Sequence, residues 1–305
     1  MSNSKFYADR KISGTSEQLL CLFQRDPSVD FTFVITVHDP VKGTWERLPP
    51  LFAAIIAVSQ CVAVNRKLVL IGGFSTFNMT LTKSVYIYDF ESARWSRGAD
   101  MPIARSFFAC CVSSSTGLVY VAGGNDEGSN SLAAAEAYSV EEDKWEILPP
   151  MIQPHGPGCH GVFMEGKFIV LRKDRSAEVF DPSGKTWRWW EHIFSFRVDV
   201  WRSLAAVSSS GELYVINEEQ QQLMKYDGGK RIWTAVAYLP RPIYLFSCAT
   251  QWRDQIFVSG VNNPGKHISY LFKPSTGQWI EVNGDGEDGG EGFAGTVFSA
   301  ATVEI

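Results

Sequence analysis

The sequence predicts an all-β fold of six repeated four-stranded units joined into a ring. Three observations carry that expectation. Six tryptophans, Trp45, Trp95, Trp145, Trp187, Trp233 and Trp279, recur at intervals of 50, 50, 42, 46 and 46 residues. Each has an aromatic ring or a histidine seven positions earlier: His38, Tyr88, Tyr138, Phe180, Tyr226 and Phe272. Between the two lies a polar turn, as in Asp181-Pro182-Ser183-Gly184-Lys185. A period of roughly 40–50 residues held this often denotes supersecondary units that bury their faces against one another, not a fold built round one crevice.

Each unit reads as four short strands with turn signals about every ten residues. The first is small and apolar, as in Phe107-Phe108-Ala109-Cys110-Cys111-Val112. The second ends in glycines, as in Leu68-Val69-Leu70-Ile71-Gly72-Gly73 and Leu118-Val119-Tyr120-Val121-Ala122-Gly123-Gly124. The third ends in the aromatic, as in Ser84-Val85-Tyr86-Ile87-Tyr88-Asp89, and the tryptophan opens the fourth, as in Trp145-Glu146-Ile147-Leu148. The Val-Leu-Ile runs are nearly continuous, which suits sheets buried on both faces between neighbours. Paired glycines let another backbone or ring approach closely. The aromatic and the tryptophan, seven apart across a tight turn, fill space between units.

These features resemble the kelch repeat family over nearly the whole chain. Repeats two and three match best, through Gly72-Gly73, Tyr88 and Trp95, and through Gly123-Gly124, Tyr138 and Trp145. Repeat four has Leu171-Arg172-Lys173 where the glycines belong, repeat five has Ile216-Asn217-Glu218, and repeat six keeps Gly260. The resemblance implies a six-bladed kelch β-propeller with four antiparallel strands per blade.

Closure follows from counting strands. The first tryptophan leaves room for only three strands before the second repeat, at about Glu17–Phe23, Phe31–His38 and Trp45–Leu48. The C-terminal run from Gly295 to Val303 is small and apolar like a first strand, and no second strand follows it. Blade one is therefore expected to be closed by the C-terminal strand, which removes the open edge of a linear stack.

Composition narrows the partners. The 305 residues carry a net charge of −5 and no Lys/Arg run, which argues against nucleic acid and membrane surfaces. The uniform repeat argues for one propeller over 16–305 behind a leader at 1–15. Met1–Arg10 is polar and charged, unlike a signal peptide. The six cysteines form no C-x-x-C pair, and five fall in first strands, as buried free thiols would. Cytoplasmic or nuclear residence is the expectation. The acidic Asp285, Glu287, Asp288 and Glu291 sit in a glycine-rich stretch that reads as a solvated loop.

The sequence holds no G-x-S-x-G elbow, no H-E-x-x-H, no phosphate loop and no dinucleotide fingerprint. His155 and His160, flanking Cys159, are the nearest approach to a metal motif. The expectation is a binding module with no catalytic residues, cofactor or metal; a kelch-type metalloenzyme or a kelch scaffold are the alternatives. Binding residues concentrate on loops carried by a rigid scaffold. Loops between second and third strands, and between blades, are expected to share one rim. Arg105, Asn125, Arg172, Arg175, Arg202 and Tyr244 are the candidate partner-binding residues there. The arginines together would form a positive patch for an acidic or phosphorylated peptide, presented by a monomeric propeller.

The leader from Ser4 to Glu17 carries an aromatic pair (Phe6-Tyr7), Arg10-Lys11, Gly14-Thr15 and Glu17 ahead of the first strand. It resembles the junction in plant F-box/kelch-repeat proteins. In that family an F-box module of about forty residues precedes the junction and recruits a Skp-type adaptor, hence a cullin ubiquitin ligase, while the kelch ring presents the substrate. These 305 residues leave no room for that module ahead of the ring. The expectation is a longer natural protein or a version without the ligase link.

Overall fold

The computed structural model describes residues 17–26, 32–39, 43–51, 56–57, 59–75, 78, 80–172, 176–190, 193, 205–207, 211–243, 245–262, 266–282 and 296–305. The leader at 1–15 lies outside the described residues. Those described form strands and turns without helix. They make six four-stranded antiparallel sheets and one two-stranded ribbon, Ile56–Ala57 with Phe74–Ser75.

Blade two is representative. Gln60–Val64, Lys67–Ile71, Val85–Asp89 and Arg94–Gly98 follow one another from the centre outwards. Tyr88 pairs with Trp95 across the last hairpin, and the same register joins Tyr138 to Trp145, Phe180 to Trp187, Tyr226 to Trp233 and Phe272 to Trp279. In blade one the partner is His38, opposite Trp45. The second strands are buried on both faces, as in Leu68–Ile71 and Val119–Ala122. The fourth strands face solvent along much of their length, and their tryptophans are half-buried.

Four of the half-buried indoles do more than fill space. Trp95 Nε1 donates to Pro49 O at 2.9 Å, Trp145 Nε1 to Ala99 O at 2.8 Å, and Trp187 Nε1 to Pro149 O at 2.8 Å. Trp233 Nε1 makes the same bond to Ile193 O. Blades two to five are thus latched to the chain leaving the preceding blade. Trp279 Nε1 departs from the pattern, being enclosed without an acceptor among the described residues.

The innermost strands touch in sequence round a closed ring: 60–64, 109–112, 159–164, 205–207, 245–252 and 297–304. They approach because they are small-residued. A Cβ on Gly161 would lie 2.7 Å from the backbone N of Cys110. At the second-strand ends a Cβ on Gly124 (φ +87°) would lie 2.5 Å from Ser106 O, so the paired glycines admit the loop entering the same blade.

Closure is as expected. The C-terminal strand Val297–Glu304 is the innermost strand of blade one, antiparallel to Gln18–Arg25, with Leu19 opposite Val303. Trp252 of blade six donates to Gln18 O at 2.9 Å, and Leu20, Leu22, Cys248, Phe257 and Val297 pack together across that seam.

Candidate binding surface

The rim carrying the second-to-third and inter-blade loops is laced by backbone bonds. Gly73 N donates to Arg105 O, Gly124 N to His155 O, and Asn125 exchanges N–H···O bonds with Ser106. The second strands of blades two and three thereby anchor the loops entering blades three and four, and those loops sit on a rigid base.

Two arginines expected on this rim are not offered to solvent. Arg105 is completely buried. Its guanidinium pairs with Glu136 at 2.8 Å and donates to Gly123 O at 3.0 Å and Ala134 O at 2.9 Å. Arg172 is 5% exposed, pairs with Glu178 at 3.0 Å and stacks over Trp189 at 4.9 Å. Topology places both backbones at the rim, but their side chains turn inward because a carboxylate waits there. Glu136 and Glu178 hold one register position, two residues before the repeat aromatic. A buried carboxylate needs a cation and hydrogen-bond donors.

The two blades meet that need differently. In blade three the cation comes from the incoming loop, at Arg105. The equivalent residue in blade four is His155, four past Met151 as Arg105 is four past Met101. Blade four instead takes Arg172 from the strand position that Gly72 and Gly123 hold in blades two and three. The missing glycine of repeat four is thus the site of its structural arginine. Glu178 also accepts from the backbone N of Ile152 at 2.7 Å. Burial pulls the Arg105 pKa down and pushes that of Glu136 up, each only partly opposed by its partner.

Asn125 stays at the rim, half-buried, and its Oδ1 is enclosed without a donor among the described residues. Asp126 beside it accepts from the side-chain amide of Asn130 at 3.1 Å and from its backbone N at 2.8 Å, which together hold its pKa below the usual carboxylate range. Arg175, Arg202 and Tyr244 lie outside the described residues. The structure therefore leaves Asn125 facing the rim, Arg105 behind it, and Arg172 in the next blade as a second internal strut. Cys159 of the histidine-flanked segment points at Phe107 O, and burial pushes its thiol pKa up to about 11.

Concavities among the described residues include a central channel, an outer cleft between blades four and five, and one of about 510 Å³ between blades five and six, beside Tyr214 and Phe272. The central channel, about 470 Å³, is lined by innermost strands, with Cys61, Cys110, Gly161, Ala249 and Ser299 among its residues. A larger cleft of about 860 Å³ lies on the outer side between blades four and five, against Trp190 and Tyr226. Sequence reading missed this second site. Its signal was the third consecutive use of a large residue after Trp187, in Trp187-Arg188-Trp189-Trp190, where other repeats turn polar or aliphatic.

The fold and its repeat signature define a ring of kelch repeats. The kelch motif model matches residues 59–102 and 106–152, which span blades two and three. The F-box/kelch-repeat protein At1g15670 of Arabidopsis thaliana is 30% identical over 92% of this chain and 85% of its own length. At1g80440, named likewise and from the same plant, is 28% identical over 94% of this chain and 86% of its own. The chain belongs to the F-box/kelch-repeat protein family. Among solved structures, that of YjhT superposes with a TM-score of 0.65 over 82% of this chain and 91% of its own at 12% identity, a likeness of fold alone.

Proposed function

We propose that this propeller is a non-catalytic protein-recognition module, the substrate-binding part of an F-box/kelch adaptor of a cullin-type ubiquitin ligase. The observation that carries the reading is family membership across nearly the whole ring, with relatives aligned over 92% and 94% of the chain. The architecture supports it. Rigid blades laced to their loops preorganise a surface, which lowers the entropic cost of binding. All six thiols are free and buried, in keeping with a reducing cytoplasmic or nuclear setting. In this reading the ring selects a protein substrate, and an F-box elsewhere in the natural protein joins it to a Skp-type adaptor. The test is affinity purification of the full-length gene product from plant extract. Recovery of a Skp-type adaptor together with proteins stabilised by proteasome inhibition is the expected result. Failure to recover the adaptor removes the ligase assignment. Stoichiometric iron or copper in the purified protein would favour a metalloenzyme instead.

A further inference from the structure

Aligned on their tryptophans, the blades show two neighbouring seams of contrasting electrostatics. Between blades three and four, Glu146 stands one residue past Trp145, and Lys185 stands two before Trp187; the two form a salt bridge across the seam. At the next seam the same two positions hold Arg188 and Arg231. Two cations replace an ion pair. Both are exposed, and both line the 860 Å³ cleft between blades four and five. Lys225 and Lys167 at the same cleft are committed to Glu212 and Asp181. Glu165 and Asp227 also line it, and Asp227 is engaged by Lys230.

Shape departs at the same seam. The position three past the repeat tryptophan is Leu48, Gly98 and Leu148 in blades one to three, all buried. In blade four it is Trp190, half-buried and set edge-on to Tyr226 with centroids 5.3 Å apart. These rings wall a cleft that reaches the buried side chains of Ile169, Val179 and Leu213. Its volume lies within the roughly 300–1,000 Å³ of ligand pockets. It opens beside the turns at Glu165, Gly211 and Gly228, at the end of the blades opposite the Asn125 rim. The outer strand Thr186–Trp190 runs along it with one backbone edge unpaired in its sheet. Such an edge can take an extended chain as an added strand.

Resting on the protein-recognition reading, we propose that this cleft binds an acidic peptide segment bearing one large apolar side chain. The apolar side chain packs in the cleft against the contacting rings of Trp190 and Tyr226, above Val179. Flanking carboxylates take the place that Glu146 fills at the preceding seam and bridge Arg188 and Arg231. The peptide backbone lies along the open edge of Thr186–Trp190.

The experiment is selection of a randomised peptide library displayed on phage against the whole chain, followed by anisotropy of a fluorescein-labelled enriched peptide. Enriched sequences should be acidic around an aromatic or aliphatic residue. Arg188→Glu restores an opposite-charge arrangement like that of Glu146 and Lys185. It should keep or raise the melting temperature while weakening the peptide about tenfold or more, and raised salt should weaken wild-type binding. Glu127→Ala, exposed in the loop of the far rim, should bind as wild type. Enrichment of basic sequences, or equal binding by Arg188→Glu, overturns the proposal. If enriched peptides are lost only in rim variants, the cleft assignment falls and the recognition reading stands. If no peptide is enriched and the full-length gene product captures no partner, both fall.

Discussion

Removing residues 296–305 should open the ring. The segment supplies the innermost strand of blade one, paired with Gln18–Arg25 along its length, tied at one end by reciprocal bonds between Glu17 and Ile305 and at the other by Arg25 N donating to Thr296 O. Val297 and Val303 are fully buried, and burial of each side chain is worth about 1.5–3 kcal/mol. Ser299 Oγ accepts from Cys61 N at 3.0 Å inside the core, which adds about 1 kcal/mol. The loss is therefore about 4–7 kcal/mol, before the exposure of Leu19 and Leu22 is counted. Domains of this kind hold only about 5–15 kcal/mol in total. At roughly 2–3 °C per kcal/mol the melting temperature should fall by about 10–20 °C. Thermal unfolding followed by tryptophan fluorescence measures it, and a synthetic 296–305 peptide added in excess should restore part of the loss. A truncated chain that melts within about 3 °C of the intact one would refute the closure argument.

The other predictions concern individual struts. Trp145→Phe keeps the ring but removes the bond to Ala99 O, and should cost about 1 kcal/mol in urea unfolding, whereas Trp145→Ala should cost about 2–4 kcal/mol because the ring is only half-buried. Arg105→Ala strands Glu136 and should cost about 3–5 kcal/mol, with much of that recovered in an Arg105→Met/Glu136→Met double variant; an Arg105→Ala protein of unchanged stability would return that residue to the surface. His38 is packed between Trp45 and Trp252, and its pKa is lowered, chiefly by burial and secondarily by Arg253, against the opposing charge of Asp39. The unfolded chain therefore takes up a proton that the folded one resists. This contribution is absent above about pH 6.5 and destabilises progressively as pH falls from there towards the folded pKa. Melting temperatures between pH 5 and pH 8 should show the decline, and His38→Phe should flatten it.

The fold was legible because its signals are collective. Six tryptophans in register, each with a ring opposite it across a hairpin, survive the loss of glycines in repeats four and five. The lone C-terminal strand was readable because an unpaired strand needs a partner, and only blade one lacked one. Local detail was less secure. Phe107 was expected inside a first strand, yet the strand begins at Ala109, and Phe107 adopts a φ of +55° in the turn that leads into it.

The candidate site was harder to read because topology places a backbone, not the end of a side chain. Arg105 and Arg172 sit in rim segments, and a long cationic side chain in a loop reads as exposed. The contrary signal was elsewhere, in Ala135-Glu136-Ala137-Tyr138 and Ala177-Glu178-Val179-Phe180. A single carboxylate inside an apolar strand must find a buried cation, and each strand has an arginine within reach of it. The cleft between blades four and five needed the same kind of comparison. Arg188 and Arg231 are ordinary surface arginines one at a time. They gain meaning only when set on the positions of Glu146 and Lys185, because the preceding seam holds an ion pair there. In a repeat fold the common positions report the architecture. The positions where one repeat reverses the chemistry of its neighbours are where a partner's contribution would be written, and residues 187–190 with 231–233 are the ones that the peptide selection tests.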